Sequence, residues 1–347
     1  MSRNLRNIIT VTVFTLLGGF LMVWLYRDFD FTPLFQVFTD RSNYIWITLA
    51  LWAGVVANVM RSLRWRMLLR GAGMDISRWR AIELVFISYL INSVTPRLGE
   101  LTRSVLVRRG DVDATAKALG TVVIEKVVDV LCLAIVVVAA IVARWEDTVG
   151  LVHRSALGLS AAVPSYVIFI VVGISVGLVV CFTLPRWSRI GQMLKNVWNG
   201  IVSVTRLEKP FGFWGLCATI WMCNFLQMWL LLPCFEELNP LQFEDALYLF
   251  ALGSVGVLLP TPGGAGPWHM AIVKCLTGLY RMPVEVAKVF ALVTHGLKTA
   301  LIILLGLLAL LATCYEAWMT RDRKGQENTS RRMERDFSSG KSGRWIR

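Results

Sequence analysis

Apolar residues in this chain come in long unbroken runs, not at the alternating spacing of a strand or the one-sided spacing of a surface helix. Runs near the length of about 20 residues that crosses a bilayer as helix lie at 8–26, 44–60, 115–143, 160–184, 213–235 and 286–314. Each predicts a transmembrane helix. The first run could be a cleaved signal peptide, but no small-x-small site follows it and more spans come later. Two shorter features interrupt the series. The run 81–95 is halted by Pro96, and the runs 246–260 and 267–280 are separated by a stretch rich in proline and glycine. About 15 helical residues cover roughly 22 Å, less than the ~30 Å hydrocarbon core.

The second break, 256–270, holds three prolines and four glycines. Proline removes a backbone donor and glycine weakens helix, so no continuous helix is expected to cross it. Broken backbone at membrane depth persists only inside protein or beside a water-filled cavity. The break is therefore either a loop at the membrane surface or the tip of a hairpin that enters and returns. Charge patterning favours hairpins. Arg61, Arg64, Arg66, Arg70, Arg78 and Arg80 precede the run 81–95, and Arg97, Arg103, Arg108 and Arg109 follow it. Basic flanks belong on the cytoplasmic side, and a hairpin over 81–109 with its tip near Thr95–Gly99 keeps both flanks there. The acidic loop at Glu236, Glu237, Glu244 and Asp245 reads as external, so the hairpin over 246–280 enters from outside.

The expected fold is thus an all-α polytopic membrane protein with the order span, span, re-entrant hairpin, span, repeated once. Six full spans and two hairpins result. Residues 1–150 form the first repeat, 151–320 the second, and 321–347 a basic, disordered cytoplasmic tail. Pro96 and Pro262 stand 166 positions apart, and the same offset carries Asn58 onto Asn224 and 115–143 onto the last run. Three crossings per repeat invert the second half. Paired broken segments in inverted halves point to the binding site of a transporter. Both termini are expected in the cytoplasm, and the location expected is the inner (cytoplasmic) membrane of a bacterium.

Composition agrees. The chain has 347 residues, 56% hydrophobic and 17% charged, with a mean hydropathy of +0.59. The net charge of +13 sits between apolar runs and in the tail, which fits topology and anionic lipid, not nucleic acid. Seven cysteines form no CxxC pair, and three histidines are too few for a His-based metal cluster. No Walker A, GxSxG, HExxH or Asp-rich loop occurs. No catalytic residue, metal or cofactor is expected.

Ionisable residues within spans mark functional sites by default. Glu125 and Asp129 share one helix face at i, i+4, and His295 and Lys298 share a face of the last span. They line either a polar cavity between the repeats or an internal salt bridge that fixes packing. Lys126 faces another hairpin or snorkels. Just past the first tip, Arg97, Glu100 and Arg103 suit a phosphate, because a guanidinium fork binds it bidentately and a helix N-terminus adds free N–H groups. Arg61 and Arg64 could join them, or serve only as topology signals. Pro96 and Gly99 mark one tip. Pro260, Pro262, Gly263, Gly264 and Gly266 mark the other, with His269 one turn beyond.

Four ordered motifs carry a resemblance: Arg61-x-x-Arg64-Trp65, Asn92-x-x-x-Pro96-Arg97-x-Gly99-Glu100-x-x-Arg103, Glu125-Lys126-x-x-Asp129, and Pro260-x-Pro262-Gly263-Gly264-x-Gly266. Over roughly residues 5–315 the chain resembles the lysylphosphatidylglycerol synthase transmembrane-region family, the flippase domain of multiple-peptide-resistance proteins. The resemblance implies movement of lipid between leaflets. With it, Asn92 joins Glu125, Lys126, Asp129, His295 and Lys298 along the expected path. In that family a Glu commonly follows the Pro-Gly-Gly-x-Gly motif, whereas here Trp268-His269 stands there. The fused domain that transfers the aminoacyl group has no counterpart, so a stand-alone member is expected and the synthase activity is not carried over. The expected function is translocation of an anionic phospholipid or lipid-linked headgroup, as a flippase or scramblase-like protein. The alternatives are an integral membrane enzyme acting on lipid phosphates and a non-transporting partner of a lipid-modifying complex. The partner classes are a membrane lipid, a second copy of the chain as a homodimer, or a lipid-modifying enzyme.

Overall fold

The computed structural model describes residues 3–95, 98–108, 110–149, 207, 209–259 and 261–338. Its helices are α1 (Arg3–Tyr26), α2 (Thr32–Thr39), α3 (Asn43–Gly71), α4 (Arg78–Val94), α5 (Leu98–Val107) and α6 (Val112–Ala143), then α7 (Pro210–Trp229), α8 (Phe243–Gly256), α9 (Pro267–Gly278) and α10 (Val284–Ser338). Among the described residues there is no strand. Four segments are long and apolar enough to cross a membrane: α3, α6, Pro210–Cys234, and Val284–Glu316 of α10. The protein is an all-α integral membrane protein. α1 covers the first expected span. The run 160–184, Pro96, Arg97, Arg109, Pro260 and residues 339–347 lie outside the described residues.

Local chemistry sets the helix boundaries. Ser77 caps α4 by accepting from the Arg80 N–H at 3.0 Å, and Asp111 caps α6 by accepting from the Ala114 N–H at 2.9 Å. Each satisfies a donor the first turn cannot use. α8 starts with a reciprocal capping box between Gln242 and Asp245. α3 ends in a left-handed turn at Gly73 (φ 80°), with the Met74 N–H returning to the Leu69 carbonyl.

Both broken segments fold into helical hairpins. α4 and α5 turn back on each other so closely that a Cβ on Gly99 would lie 1.9 Å from the Ser88 carbonyl oxygen. α8 and α9 do the same through a tip where Gly263, Gly264 and Gly266 all have positive φ, a backbone region that favours glycine. The shorter arms α5, α8 and α9 have 10, 14 and 12 residues, which is about 15–21 Å of helix against a ~30 Å core.

α3 and α7 form the central pair and run antiparallel, with Gly54 against Gln227 at one level and Gly71 against Leu207 at the other. α4 lies along α10, where Gly306 lets it approach until a Cβ there would sit 2.6 Å from Leu90 Cβ. α8 lies along α6. The larger apolar cluster joins α7, α8, α9 and the start of α10 to the ends of α1 and α6. A smaller one, around Trp65, Leu69, Leu84 and Ala118, packs the first hairpin.

α10 runs on to Ser338. Extending an existing helix needs no new nucleus, and residues 321–338 are rich in Arg, Lys, Glu and Gln, which favour helix.

Candidate functional site

The site begins on α3. Arg61 and Arg64 stand one turn apart on α3, after a mostly apolar stretch and ahead of Arg66 and Arg70. Arg64 is wholly buried, and its Nη2 donates to Asp129 Oδ1 at 2.7 Å and lies 3.7 Å from Glu125 Oε1. Its Nη1 reaches Cys217 Sγ on α7 at 3.5 Å. Glu125, 1% exposed, accepts at Oε2 from Arg103 Nη2 at 2.7 Å. Arg103 comes from α5, the returning arm of the first hairpin. Its guanidinium sits 4.5 Å over the Trp65 ring, and the Trp65 indole N–H donates to Thr121 Oγ1 at 3.1 Å. Glu125 is therefore the joint between α3, α5 and α6.

A second layer ties the hairpin together. Lys126 Nζ lies 3.0 Å from Glu100 Oε1, and Asn92 Nδ2 donates to Glu100 Oε2 at 3.0 Å. The Asn92 carbonyl oxygen accepts from the Gly99 N–H at 2.8 Å, so one amide side chain bridges both arms just below the tip. Arg61 Nη1 donates to the Tyr89 hydroxyl at 2.7 Å. Buried charges are costly unless paired, and removing one partner of such a pair typically costs about 3–5 kcal/mol. This network is a stiff, charged centre inside membrane helices.

The second hairpin carries a different chemistry. His295 Nε2 is 3.1 Å from the Gly263 carbonyl, while Thr299 Oγ1 is 3.4 Å from its Nδ1. A carbonyl only accepts, so the proton belongs on Nε2 and Nδ1 accepts from the hydroxyl. His269 is buried with its ring 4.7 Å from that of His295 and 5.8 Å from Tyr26. Its Nδ1 has no hydrogen-bond partner among the described residues. α1 closes this tip: Gly18 packs on Thr261 and the Ala265 carbonyl, and Gly266 packs back on Gly18.

The structure gathers Asn92, Glu100, Arg103, Arg61, Arg64, Glu125, Lys126 and Asp129 into one cluster. It does not pair Glu125 and Asp129 with His295 or Lys298, as a salt bridge between the halves would require. The first hairpin folds back and delivers Arg103 to Glu125 inside the first half instead. Lys298 is exposed and has no ion pair among the described residues. Gly99, Pro262, Gly263, Gly264, Gly266 and His269 sit at or beside the two tips. Trp65, Tyr89 and Thr121 were not singled out from sequence. Trp65 directly follows Arg64 in a motif, which is the one signal that pointed to it. Among the described residues no group of three or more His, Cys, Asp or Glu could hold a metal ion.

The sequence model of the family described as "Lysylphosphatidylglycerol synthase TM region" matches residues 7–306. The chain is also similar to the UPF0104 membrane protein PH1989 of Pyrococcus horikoshii, at 26% identity over 95 residues. That alignment covers 26% of this chain and 28% of the relative's length. No solved structure matches the chain.

Proposed function

Because the chain belongs to the lysylphosphatidylglycerol synthase TM-region family, we propose that it moves an anionic lipid or lipid-linked headgroup between membrane leaflets, as a flippase or scramblase-like protein. The observation that carries this reading is the charged cluster around Glu125. Arg64 and Arg103 pair with Glu125, and Asp129, Glu100, Lys126 and Arg61 extend the cluster around them. Charges at that depth mark the route of a polar solute.

The packing supports an inverted repeat of span, span, re-entrant hairpin, span. The α4–α5 hairpin lays α4 on α10, and the α8–α9 hairpin lays α8 on α6. Asn58 and Asn224 donate to the carbonyl four residues back, Gly54 and Ile220, each at 2.8 Å, on the antiparallel pair α3 and α7. Two hairpins entering from opposite faces bring their tips toward the middle of the bilayer, where a headgroup can be passed between them. The first tip would take the headgroup at Arg97, Glu100 and Arg103, and Asn92, Lys126 and His295 would line the way on. Basic flanks around the first hairpin support a cytoplasmic position for it and for both termini, in a bacterial inner membrane. No cofactor enters this reading. Movement is downhill or driven by an ion gradient.

Reconstitution into liposomes with fluorescent phosphatidylglycerol and a membrane-impermeant quencher tests it. The protein is expected to raise the quenchable fraction above the outer-leaflet share, and Glu125→Gln to abolish the rise. A quenchable fraction equal to that of empty liposomes overturns the proposal. Chemical turnover of the lipid by purified protein would replace it with an enzymatic function.

A further inference from the structure

We propose that His269 and His295 form a one-proton site at the second hairpin tip, and that the proton it takes gates lipid movement. The inference rests on the lipid-moving reading and names the ion whose gradient drives it. The two rings come from different helices, α9 and α10, with centroids 4.7 Å apart. Both side chains are buried. Trp268 lies 5.4 Å from the His269 ring and 5.2 Å from that of His295, and Tyr26 of α1 lies 5.8 Å from His269. Among the described residues, the bond from His295 Nε2 to the Gly263 carbonyl is the one side-chain hydrogen bond that holds the tip. The segment Pro262–Gly264 in turn packs on α1 and on α4 of the first hairpin. The pair therefore stands where α1 and both hairpins meet.

The packed arrangement is the proton-free one. His295 spends its N–H on Gly263 and takes the Thr299 hydroxyl on Nδ1 at 3.4 Å, which makes it the neutral tautomer. His269 Nδ1 has no partner among the described residues, nor has Thr261 Oγ1 at the same tip, and both atoms are buried. The helices packed around the pair bring it no carboxylate. α1 presents Tyr26, and α4 carries Tyr89 and no charged side chain from Leu84 to Val94. α8 has no titratable group from Leu249 to Gly256, and α9 has none other than His269 before Lys274. α3 adds Arg61 and Arg64 and has no acidic residue. On α10, Lys298 follows one turn past His295, and Glu285 pairs with Lys288 at 3.8 Å, ten residues before it. A cation held dry without a counter-charge is costly. Two imidazoles in contact cannot both be charged, so the pair takes one proton.

Water changes this balance. When the tip parts from α1, water reaches the rings and gives His269 Nδ1 and Thr261 Oγ1 the partners they lack in the packed tip. An imidazolium at His295 then loses no bond. Its Nε2–H keeps the Gly263 carbonyl, and its Nδ1–H donates to Thr299 Oγ1, because a hydroxyl donates or accepts. Trp268 adds a π surface within cation–π distance of both rings. The proton thus binds the opened tip more tightly than the packed one, and a ligand shifts an equilibrium by that difference. Since the tip also packs on α4, opening it releases a contact with the first hairpin.

The whole chain has three histidines, which makes a direct test possible. Purified protein with histidine isotope-labelled in the ring gives three NMR signals, assigned by substitution. Those of His269 and His295 are expected to shift together between about pH 9 and about pH 4 with uptake of one proton. His295→Gln keeps a donor for Gly263 and an acceptor for Thr299, and is expected to stop the shift of His269. No shift of either signal down to about pH 4, or two protons taken independently, overturns the site. In the liposome assay, a pH gradient at clamped membrane potential is expected to change the initial rate of wild-type lipid movement several-fold. The response is read as the ratio of each protein's own rates with and without the gradient. His295→Gln and His269→Phe, which keeps the ring, are expected to remove it. A wild-type rate indifferent to the gradient, or a wild-type ratio in both variants, overturns the gate. No lipid movement by the wild type sinks the transport reading, and the proton site then stands or falls on the NMR titration.

Discussion

Glu125 shows how much one residue can hold. Its two oxygens face Arg103 and Arg64 at 2.7 and 3.7 Å, and all three side chains are buried. Glu125→Gln keeps the volume and removes the charge. Arg103 then loses its counterion in a dry site, and the expected loss of stability is about 3–5 kcal/mol. A clear fall in the unfolding midpoint in detergent checks this; an unchanged midpoint means the pair is solvated. Two glycines give a second contrast at this scale. A Cβ on Gly99 would sit 1.9 Å from a backbone oxygen, whereas one on Gly120 meets nothing within 4 Å. Gly99→Ala is expected to open the first hairpin and lower expression and stability. Gly120→Ala is expected to be neutral or to stabilise by up to about 1 kcal/mol, because alanine favours helix. Equal effects from the two substitutions would contradict the packing of α4 on α5.

The hairpins are the elements that turn a bundle of spans into a candidate pathway. The helix breaks between their arms were legible from Pro96, Pro262 and the glycine run, since neither residue type supports a continuous helix. Their closure was not. It depends on Asn92 bridging the Gly99 N–H and Glu100, and on Gly18 of α1 filling the space over Thr261, contacts between residues whose proximity no local pattern reports. If the two tips enter from opposite faces, Leu98→Cys is labelled by an impermeant maleimide only from the cytoplasmic side and Ala265→Cys only from the external side. Labelling of both from one side removes the inverted arrangement.

At the scale of the whole molecule, residues 3–149 and 207–338 touch along α3 with α7, α4 with α10 and α6 with α8. Transport by rocking of one half against the other requires the second contact to slide. Gly306 and Leu90 mark its tightest point, where the added Cβ would lie 2.6 Å from Leu90 Cβ. A disulfide needs about 3.5–4.5 Å between Cβ atoms, so a Leu90→Cys, Gly306→Cys pair forms with a small outward shift. In a background without other cysteines, oxidation is expected to halt lipid movement and reductant to restore it. Undiminished movement in the oxidised protein means the halves do not shift at this seam.

What the sequence determined by itself is whatever the membrane imposes on a local stretch. Apolar length dictated α3, α6, the Pro210–Cys234 segment and α10, because a crossing helix must satisfy its own backbone over the full core. Proline and glycine marked where helices break, and the ordered motifs pointed to the family. Only the tertiary structure decided which charges meet. Sequence spacing placed Glu125 and Asp129 on one face and His295 and Lys298 on another, and left open whether they pair; the fold sent the carboxylates to Arg103 and Arg64. Counting cations around a span says which side they favour and nothing of their depth, so the complete burial of Arg64 was out of reach. Ion pairing is set by distance across elements distant in sequence, and that distance exists only once the hairpin has folded back.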